Sequence, residues 1–378
     1  MTSPDRAAID AALATVSDPE IKQPITDLGM VKSVDVGSDG RVAVAVYLTV
    51  AGCPMRDRIT RDVTAAVSAV AGVTDVVVSL DVMSEQQRQE LSTKLRGDRG
   101  EREIPFARPG STTRVYAVAS GKGGVGKSSV TVNLAAAMAK DGLKVGVVDA
   151  DIYGHSVPRM LGATSLPTQV ENMLMPPQAH GVSVISIGMF TPGNTPVVWR
   201  GPMLHRALQQ FLADVWWGDL DVLLLDLPPG TGDVAISVAQ LVPNAELLVV
   251  TTPQQAAAEV AERAGTIALQ THQTIAGVIE NMAYLACPHC GDRIDVFGSG
   301  GGEQVAEALS RATGARVPLL GQVPLEVSLR EGGDVGEPLV LSTPDAASAR
   351  VLIDIAHRLG RRERGLLGKS LGLTPAGR

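Results

Sequence analysis

The chain has 378 residues, of which 45% are apolar and only 3% aromatic, so it allows two or three domains with largely aliphatic cores. The formal net charge of −7 argues against a general nucleic-acid or membrane-surface binder, because such proteins carry a basic excess. No apolar run reaches the roughly 20 residues of a membrane span, and residues 1–13 lack the apolar stretch of a signal peptide. We therefore expect a cytoplasmic protein.

The beginning of the chain predicts a small α/β domain over residues 1–85. Residues 7–16 and 56–70 have the apolar spacing of helices, and residues 42–50 and 73–82 are rich in β-branched side chains, as strands are. Residues 86–111 are rich in charged side chains and contain two prolines, which predicts a short helix that continues into a linker. A solvated helix of the first domain is the alternative interpretation.

From residue 112 the pattern changes to alternating strands and helices. After a first strand, six short apolar runs lack alternation, which is typical of strands buried on both faces. The sequence therefore predicts a mostly parallel sheet flanked by helices over residues 112–360. Residues 361–378 are basic and rich in turn-forming residues, and we expect them to form a mobile tail.

Residues 121–128, GKGGVGKS, match the pattern G-x-x-x-x-G-K-S/T of a phosphate loop. Glycines allow backbone N–H groups to converge on phosphate oxygens, and the following helix adds the positive end of its dipole. Lys127 is expected at the β- and γ-phosphates of ATP, and the Ser128 hydroxyl on Mg²⁺. The predicted nucleotide-binding residues are Gly121, Lys122, Gly123, Gly124, Val125, Gly126, Lys127, Ser128 and Ser129.

Lys122 is a second lysine in this loop, five positions before Lys127. Its early position would direct the side chain away from the nucleotide of its own chain and towards phosphates held by a second copy. It would then act as an intermolecular counterpart of an arginine finger. A solvated loop lysine is the alternative, and position alone does not separate the two.

Acidic residues follow two of the predicted buried strands. Asp151 can approach the γ-phosphate and orient the attacking water, since ligands lie outside the carboxyl ends of parallel strands. Asp149 is expected to be structural or to lie just behind Mg²⁺. Asp226 follows four apolar positions, as in a Walker B strand, and is expected to bind Mg²⁺ through water. Gly230 and Gly232 would let the next loop respond to the γ-phosphate.

Cys287 and Cys290 form a C-x-x-C pair, a spacing that lets two thiolates share one metal. A redox pair would start a helix, whereas this pair precedes a glycine and a short apolar strand. A zinc ribbon needs four ligands, usually from two such pairs, and His289 is expected to face solvent. Two chains about a two-fold axis would supply four thiolates, which suits a [4Fe–4S] cluster or one Zn²⁺.

Seven segments together resemble the Mrp/ApbC family of iron–sulfur cluster carrier ATPases. They are GKGGVGKSS, DADIYGHS, WRGPM, DLPPGTGD, GVIENM, CPHCG and FGSGGG, and the resemblance covers about residues 112–360. The phosphate loop is similar to the deviant loop of the superfamily that includes MinD, ParA, the arsenite-pump ATPase and the nitrogenase iron protein.

The resemblance implies an ATPase, slow in hydrolysis, that holds a labile [4Fe–4S] cluster between two subunits and passes it to apoproteins. It implies that Lys122 acts across a homodimer and that Asn281, at the end of a strand, contacts the adenine. No nucleic-acid or membrane partner is expected. His155 stands where we expect proline in the family, which leaves the movement of the adjoining loop open.

The segments DPEIKQPITDLGMV and TVAGCPM resemble a small domain linked with iron–sulfur cluster maturation. Cys53 precedes Pro54, and proline favours the first turn of a helix. A thiol at a helix N-terminus has a lowered pKa and a higher metal affinity or reactivity, which we predict for Cys53. A buried cysteine that packs as a small apolar side chain is the alternative, and Asp27 is a candidate neighbour.

Two other functions remain open at this point. A positioning ATPase of the ParA/MinD type would act through a membrane-binding helix or a DNA-binding patch, but the basic tail has no clear amphipathic repeat. The C-x-x-C pair is also not expected in such a protein. A zinc-stapled nucleotide-binding scaffold would use the same cysteines without transferring a cluster.

Overall fold

The computed structural model describes residues 4–49, 53, 55–96, 103–108, 110–151, 154–190, 201–230, 233–254, 263–264, 266, 268–287 and 289–360. The predicted tail and Pro54, Trp199 and Gly232 lie outside these residues. The chain divides into two compact units, neither of which is one stretch of sequence. The described parts of residues 1–103, 165–178 and 214–218 form the first unit, and the rest form the second. The domain bounds expected from the sequence stay a prediction.

The first unit contains a three-stranded sheet and three helices. The strands are β1 (Val31–Val36), β2 (Arg41–Leu48) and β3 (Asp75–Val82), and the helices are α1 (Arg6–Leu13), α2 (Arg56–Ser68) and α3 (Glu85–Arg96). The central β2 is antiparallel to β1 and parallel to β3. Side chains along β2 alternate between exposed and buried, because one face of this sheet covers the core. Leu91 and Leu95 of α3 are buried in the same core.

Two short segments from later in the chain complete the first unit. The strands β6 (Thr168–Val170) and β7 (Met173–Met175) pair antiparallel, and Val170, Met173 and Met175 are buried among the side chains of the first unit's core. Arg88 of α3 forms an ion pair with Glu171 at the turn of this hairpin, with 3.1 Å between Nε and Oε1. Residues 165–178 are therefore part of the first unit's hydrophobic core.

The second unit is built on an eight-stranded sheet with the order β15-β12-β11-β4-β10-β5-β9-β8. The strands are β4 (Arg114–Ala119), β5 (Val145–Asp149), β8 (Gln178–Ala179), β9 (Val182–Ser186), β10 (Val222–Asp226), β11 (Glu246–Thr251), β12 (Ile275–Asn281) and β15 (Leu319–Val323). From β15 to β9 all neighbours pair in parallel. Every residue of β5, β9, β10 and β12 is buried, which confirms the prediction of a mostly parallel sheet covered on both faces.

Helices surround this sheet, and a small hairpin leaves it after β12. The helices are α4 (Lys127–Lys140), α5 (Val157–Met160), α6 (Gly201–Ala213), α7 (Asp233–Leu241), α8 (Gly301–Thr313), α9 (Val327–Val335), α10 (Leu339–Ser342) and α11 (Ala347–Gly360). The hairpin strands are β13 (Leu285–Ala286) and β14 (Arg293–Ile294). None of the helices in the described part of the chain is long and apolar enough to cross a membrane.

Candidate functional site

The phosphate loop encloses a cavity of about 190 Å³ at the carboxyl end of the sheet. Residues 122–129 line it together with Ser120, Asp151, Ser156, Met160 and Pro229. Gly126 ends the loop with a φ of 77°, in the left-handed region that glycine adopts without strain. A Cβ at Gly126 would lie 2.3 Å from the Asn281 amide nitrogen, so a larger residue does not fit there.

Lys127 and Asp226 form a buried ion pair beside this cavity, with 2.7 Å between Nζ and Oδ2. The Ser128 hydroxyl donates to Oδ2 at 2.6 Å, and the Thr131 hydroxyl donates to Oδ1 at 2.8 Å. Beyond the ion pair, Lys127 Nζ makes no hydrogen bond to any residue that the structure describes, so its ammonium keeps donors for a phosphate. The hydroxyl of Ser128 and the carboxylate of Asp226 are oxygen ligands of the kind that Mg²⁺ prefers, and they fit its predicted site.

Thr131 is a site residue that sequence reasoning missed. It lies one helical turn after Lys127, and its hydroxyl oxygen also lies 3.0 Å from the Lys127 carbonyl oxygen, which is the other acceptor for its single proton. The spacing of four residues along α4 places Lys127 and Thr131 on the same face of the helix, which is the signal that could have found it.

Asp149 is fully buried, and its carboxylate accepts hydrogen bonds from the backbone N–H groups of Asp151 and Val157. Its Oδ1 accepts a hydrogen bond from Asp151 N at 3.2 Å, and its Oδ2 accepts from Val157 N at 3.3 Å and from the Ser186 hydroxyl at 3.1 Å. Burial and the nearby Asp226 carboxylate raise the pKa of Asp149. These contacts support the structural role expected for Asp149.

Asp151 and Lys122 both line the cavity. Within the described residues, neither side chain is hydrogen-bonded to Lys127 or Asp226. The Asp151 carboxylate accepts a hydrogen bond from Gly154 N at 3.1 Å. The Lys122 ammonium donates to the side-chain oxygen of Gln254, three residues after β11. Gln254 was not predicted, because no motif in the sequence indicates its contact with Lys122.

Asn281 lies against the phosphate loop and is only 2% exposed. Its amide Nδ2 donates to the Val125 carbonyl at 2.8 Å, while its Oδ1 is buried and has no hydrogen-bond partner in the described part of the chain. Asn281 does not belong to the residues that line the cavity. Its contact with adenine therefore stays a prediction, and the observed contact stabilises the phosphate loop.

Cys287 and Cys290 lie in the loop of the hairpin formed by β13 and β14. Cys287 is half-buried and Cys290 exposed. Hydrogen bonds from the backbone N–H groups of Cys290 and His289, and from the Cys290 thiol, lower the pKa of Cys287. Gly291 N also donates to the Cys287 carbonyl at 2.8 Å, which closes the turn. A lowered pKa favours the thiolate, which is the form that binds metals.

The two thiols are too few to complete a metal site by themselves. Within the described residues, no group of three or more His, Cys, Asp or Glu side chains is placed to hold a metal ion. The side chain of His289, between the cysteines, is exposed, as predicted.

Residues 111–360 match the family model described as the NUBPL iron-transfer P-loop NTPase, and residues 6–80 match an iron–sulfur cluster assembly protein. The chain belongs to the NUBPL family of iron-transfer P-loop NTPases. This confirms the resemblance to iron–sulfur cluster carrier ATPases that the motifs indicate. It also confirms the phosphate-loop fold of the second unit.

Relatives of this NTPase extend the similarity over nearly the whole chain. The iron–sulfur cluster carrier protein of Mycobacterium tuberculosis is 69% identical over 372 residues, which cover 98% of this chain and 97% of the relative. The carrier protein of Synechocystis is 41% identical over 359 residues, with 93% and 96% covered. A nucleotide-binding protein from Archaeoglobus fulgidus, solved in complex with ADP, is 33% identical, with a TM-score of 0.52 over 70% of this chain and 95% of its own.

Cys53 in the first unit of the NTPase differs from the prediction. Burial, together with the nearby carboxylates of Glu20 and Asp18, raises the pKa of its thiol to about 11. Hydrogen bonds from the backbone of Met55 and Arg56, at the start of α2, lower the pKa but are outweighed. The predicted lowered pKa is wrong, and the structure shows the alternative, since Cys53 is only 4% exposed.

An acidic pair accompanies Cys53, and sequence reasoning did not identify it. Burial raises the pKa of Asp18, while burial and the Asp18 charge raise the pKa of Glu20 to about 7. The Thr168 hydroxyl of β6 donates to the Glu20 carboxylate at 3.4 Å. Asp27, the expected neighbour of Cys53, is not among the groups that shift the pKa of its thiol.

Proposed function

We propose that this NTPase binds an iron–sulfur cluster through Cys287 and Cys290 and transfers it to apoproteins under the control of ATP. The observation that carries the proposal is the cysteine pair in the hairpin loop, where Cys290 is exposed and the half-buried Cys287 sulfur accepts backbone hydrogen bonds that favour the thiolate. Relatives of this chain named iron–sulfur cluster carrier proteins, at 69% and 41% identity, support it.

The cluster in this proposal is a [4Fe–4S] centre shared by two copies of the chain. Such a cluster is normally held by four thiolates, and Cys287 and Cys290 supply two. The remaining cysteine, Cys53, is buried with a raised pKa, which argues against its use as a ligand. A homodimer with the two hairpins facing each other would supply the four thiolates.

Nucleotide binding in this proposal uses the phosphate loop and the Lys127–Asp226 pair. Lys127 has ammonium donors that are not hydrogen-bonded, and these would bind the β- and γ-phosphates of ATP. Ser128 and Asp226 would hold Mg²⁺, which neutralises phosphate charge in sites of this kind. The loop backbone would bind the other phosphate oxygens, with the positive end of the α4 dipole directed at them.

Slow ATP hydrolysis would use Asp151 and a lysine from the second copy. Asp151 lies on the cavity wall, where its carboxylate could orient the attacking water. Lys122 would leave Gln254 and reach the nucleotide of the facing subunit, where its charge stabilises the transferring phosphoryl group. Asn281 would exchange its contact with the Val125 carbonyl for one with the adenine.

Anaerobic reconstitution with iron and sulfide, followed by incubation with an apo iron–sulfur enzyme, tests this function. We expect the absorption of a [4Fe–4S] cluster and activation of the recipient enzyme, with activation that depends on added ATP. A protein that binds tight zinc at the cysteines, and takes up no iron under these conditions, would favour a zinc-stapled scaffold instead. Cys₂ pairs from two chains would also satisfy one Zn²⁺.

A further inference from the structure

Glu280 and Asn281 are the last two residues of β12, and their side chains leave the strand on opposite faces. Asn281 Nδ2 donates to the Val125 carbonyl of the phosphate loop at 2.8 Å. Glu280 Oε1 accepts a hydrogen bond from Gly302 N at 2.8 Å, in the first turn of α8. The end of one strand thus contacts the nucleotide loop on one side and the start of α8 on the other.

Glu280 also joins the two ends of the loop that carries the cysteine pair. This loop begins after Asn281, contains the hairpin with Cys287 and Cys290, and ends at Gly302, whose backbone N–H contacts Glu280. The hydrogen bond between Glu280 and Gly302 therefore holds the last residues of the loop next to its first residues.

The contact at α8 leaves no room for a side chain. A Cβ at Gly302 would lie 2.7 Å from the Glu280 Cβ, and one at Gly301 would lie 2.7 Å from the Pro253 carbonyl oxygen. Real Cβ atoms do not approach other atoms that closely, so α8 can begin against the strand ends only with glycine there. The start of α8 is consequently held in one position on the ends of β11 and β12.

The residues that follow the neighbouring strand β11 also contact both the start of α8 and the phosphate loop. Its continuation, Pro253, lies against Gly301, while the next residue, Gln254, accepts a hydrogen bond from the Lys122 ammonium. Two adjacent parallel strands thus end between the phosphate loop and the glycines that follow the cysteine hairpin. A shift of either strand end would act on both sides together.

The charge of Glu280 makes this arrangement costly unless its hydrogen bonds are kept. The side chain is completely buried, and its second oxygen accepts a hydrogen bond from the Gln322 amide on β15. A buried carboxylate is tolerated only when it is well hydrogen-bonded, so Glu280 strongly disfavours any position of Gly302 that breaks their contact. A movement of β12 would therefore carry Gly302 with it.

We propose that Glu280 is a positioning residue that couples the nucleotide site to the cysteine pair. The proposal rests on the nucleotide and cysteine sites of the proposed function. Nucleotide binding at the phosphate loop changes the Val125–Asn281 contact, and the end of β12 moves in response. Glu280 transmits this movement to Gly302 and so changes the exposure of Cys287 and Cys290. Lys122 adds to the effect when it leaves Gln254 for the facing subunit.

Thiol alkylation of the iron-free, full-length protein tests this coupling. Iodoacetamide is added with and without a non-hydrolysable ATP analogue and Mg²⁺, and peptide mass spectrometry follows Cys287 and Cys290 separately from Cys53. We expect the analogue to change the alkylation rate of the pair by at least about fivefold, the lower end of typical allosteric coupling. Calorimetry on the same samples shows that the analogue is bound.

Three variants and one control locate the coupling at Glu280. Glu280→Ala and Gly302→Ala should each abolish the nucleotide effect on alkylation, whereas Glu280→Gln, which keeps an acceptor for Gly302 N, should retain it. Gly302→Ala changes the same hydrogen bond from the side of its donor, so it replaces Glu280→Ala in the test if that variant does not fold. The control Gln273→Ala loses a buried amide-to-carbonyl hydrogen bond, to Ala245 O, before the start of β12 and should keep the full effect.

The outcomes separate the coupling from the proposed function. An unchanged alkylation rate in the wild type with the analogue bound would overturn the coupling, and so would a full nucleotide effect in Gly302→Ala. Absence of analogue binding would overturn both the coupling and the proposed nucleotide site. Failure to reconstitute a cluster would contradict only the cluster proposal, because the alkylation assay contains no iron.

Discussion

The Lys127 ammonium lies 2.7 Å from the Asp226 carboxylate, and the two side chains are 6% and 0% exposed. Separately, each charge would be expensive to bury, and together they neutralise each other. The pair joins the start of α4 to the end of β10 at the point where the sheet meets the cavity. The proposed phosphate and Mg²⁺ sites are therefore also a structural element of the second unit.

Replacement of Lys127 by Ala should abolish ATP binding and lower the free energy of unfolding by about 3 kcal/mol, because the Asp226 charge stays buried without its partner. Nucleotide titration and urea denaturation measure the two effects. The control Lys140→Ala removes an exposed lysine from the end of the same helix and should change neither. Wild-type ATP affinity in Lys127→Ala would contradict the site assignment.

Replacement of Asp226 by Ala should remove hydrolysis and the dependence of ATP binding on Mg²⁺, because the carboxylate is the proposed ligand of that ion. It should also destabilise the fold, since Lys127, Ser128 and Thr131 all lose a buried acceptor or counter-ion. Binding isotherms with and without Mg²⁺ measure the first effect. An undiminished Mg²⁺ dependence in the variant would exclude Asp226 from the metal site.

The Lys122→Ala variant should keep most of its ATP affinity and lose hydrolysis, because Lys122 is proposed to act on the nucleotide of the facing subunit. Mixing it with Asp151→Ala subunits should restore part of the activity, since one site of the mixed dimer has both groups intact. ATPase rates of the mixtures measure this. No recovery in mixtures that contain verified heterodimers would argue against action across the dimer.

Cys53 should react with iodoacetamide much more slowly than Cys287 near neutral pH, because its thiol has a pKa of about 11 and is buried. Peptide mapping of alkylation from pH 7 to pH 10 measures both rates. Equal rates for Cys53 and Cys287 in the folded protein at pH 7 would contradict the structure.

The raised pKa of Cys53 also predicts how stability depends on pH. Above its ordinary value of 9.0, the thiol ionises in the unfolded chain but stays protonated in the fold until about pH 11. The unfolded state then binds fewer protons, so the stability of the wild type relative to Cys53→Ala should fall as pH rises through this window. Urea denaturation of both proteins at pH 8 and pH 10 measures the difference.

Sequence reasoning was most successful where spacing along the chain determines position in the fold. Lys127 and Ser128 could be located because the loop and the first turn of α4 are contiguous, and Asp226 because a buried parallel strand ends at the same edge. The fold class and the family follow from the same motifs and are confirmed. Cys287 and Cys290 are recognisable from their spacing alone, whereas the hydrogen bonds to the Cys287 sulfur depend on the conformation of the loop.

Features that depend on distant segments could not be predicted. The pKa of Cys53 is set by burial and by the charge of Glu20, and a prediction from the position of a thiol at a helix N-terminus takes neither into account. The packing of Met173 and Met175 in the first unit joins segments about 80 to 170 residues apart, which no local pattern reveals. The amide of Asn281 was expected at the adenine, but whether it turns to the base or to the Val125 carbonyl depends on tertiary packing.

Single cysteine variants should separate the cluster ligands from the buried thiol. Cys287→Ala or Cys290→Ala leaves two thiolates in a dimer where four are needed, so reconstituted iron should be lost while ATP binding remains. Cys53→Ala is the matched control, and it should keep a full complement of iron. Iron and sulfide assays on the reconstituted proteins measure this, and full iron occupancy in Cys287→Ala would exclude Cys287 as a ligand.

Native mass spectrometry of the anaerobically reconstituted protein reports the subunits and the cluster in one particle, so it tests directly whether two copies of the chain share one cluster. We expect a dimer that carries one [4Fe–4S] cluster, and a cluster-free Cys290→Ala variant under the same conditions. A monomer that carries an intact [4Fe–4S] cluster would contradict the shared site, and so would a dimer in which each subunit holds a cluster of its own.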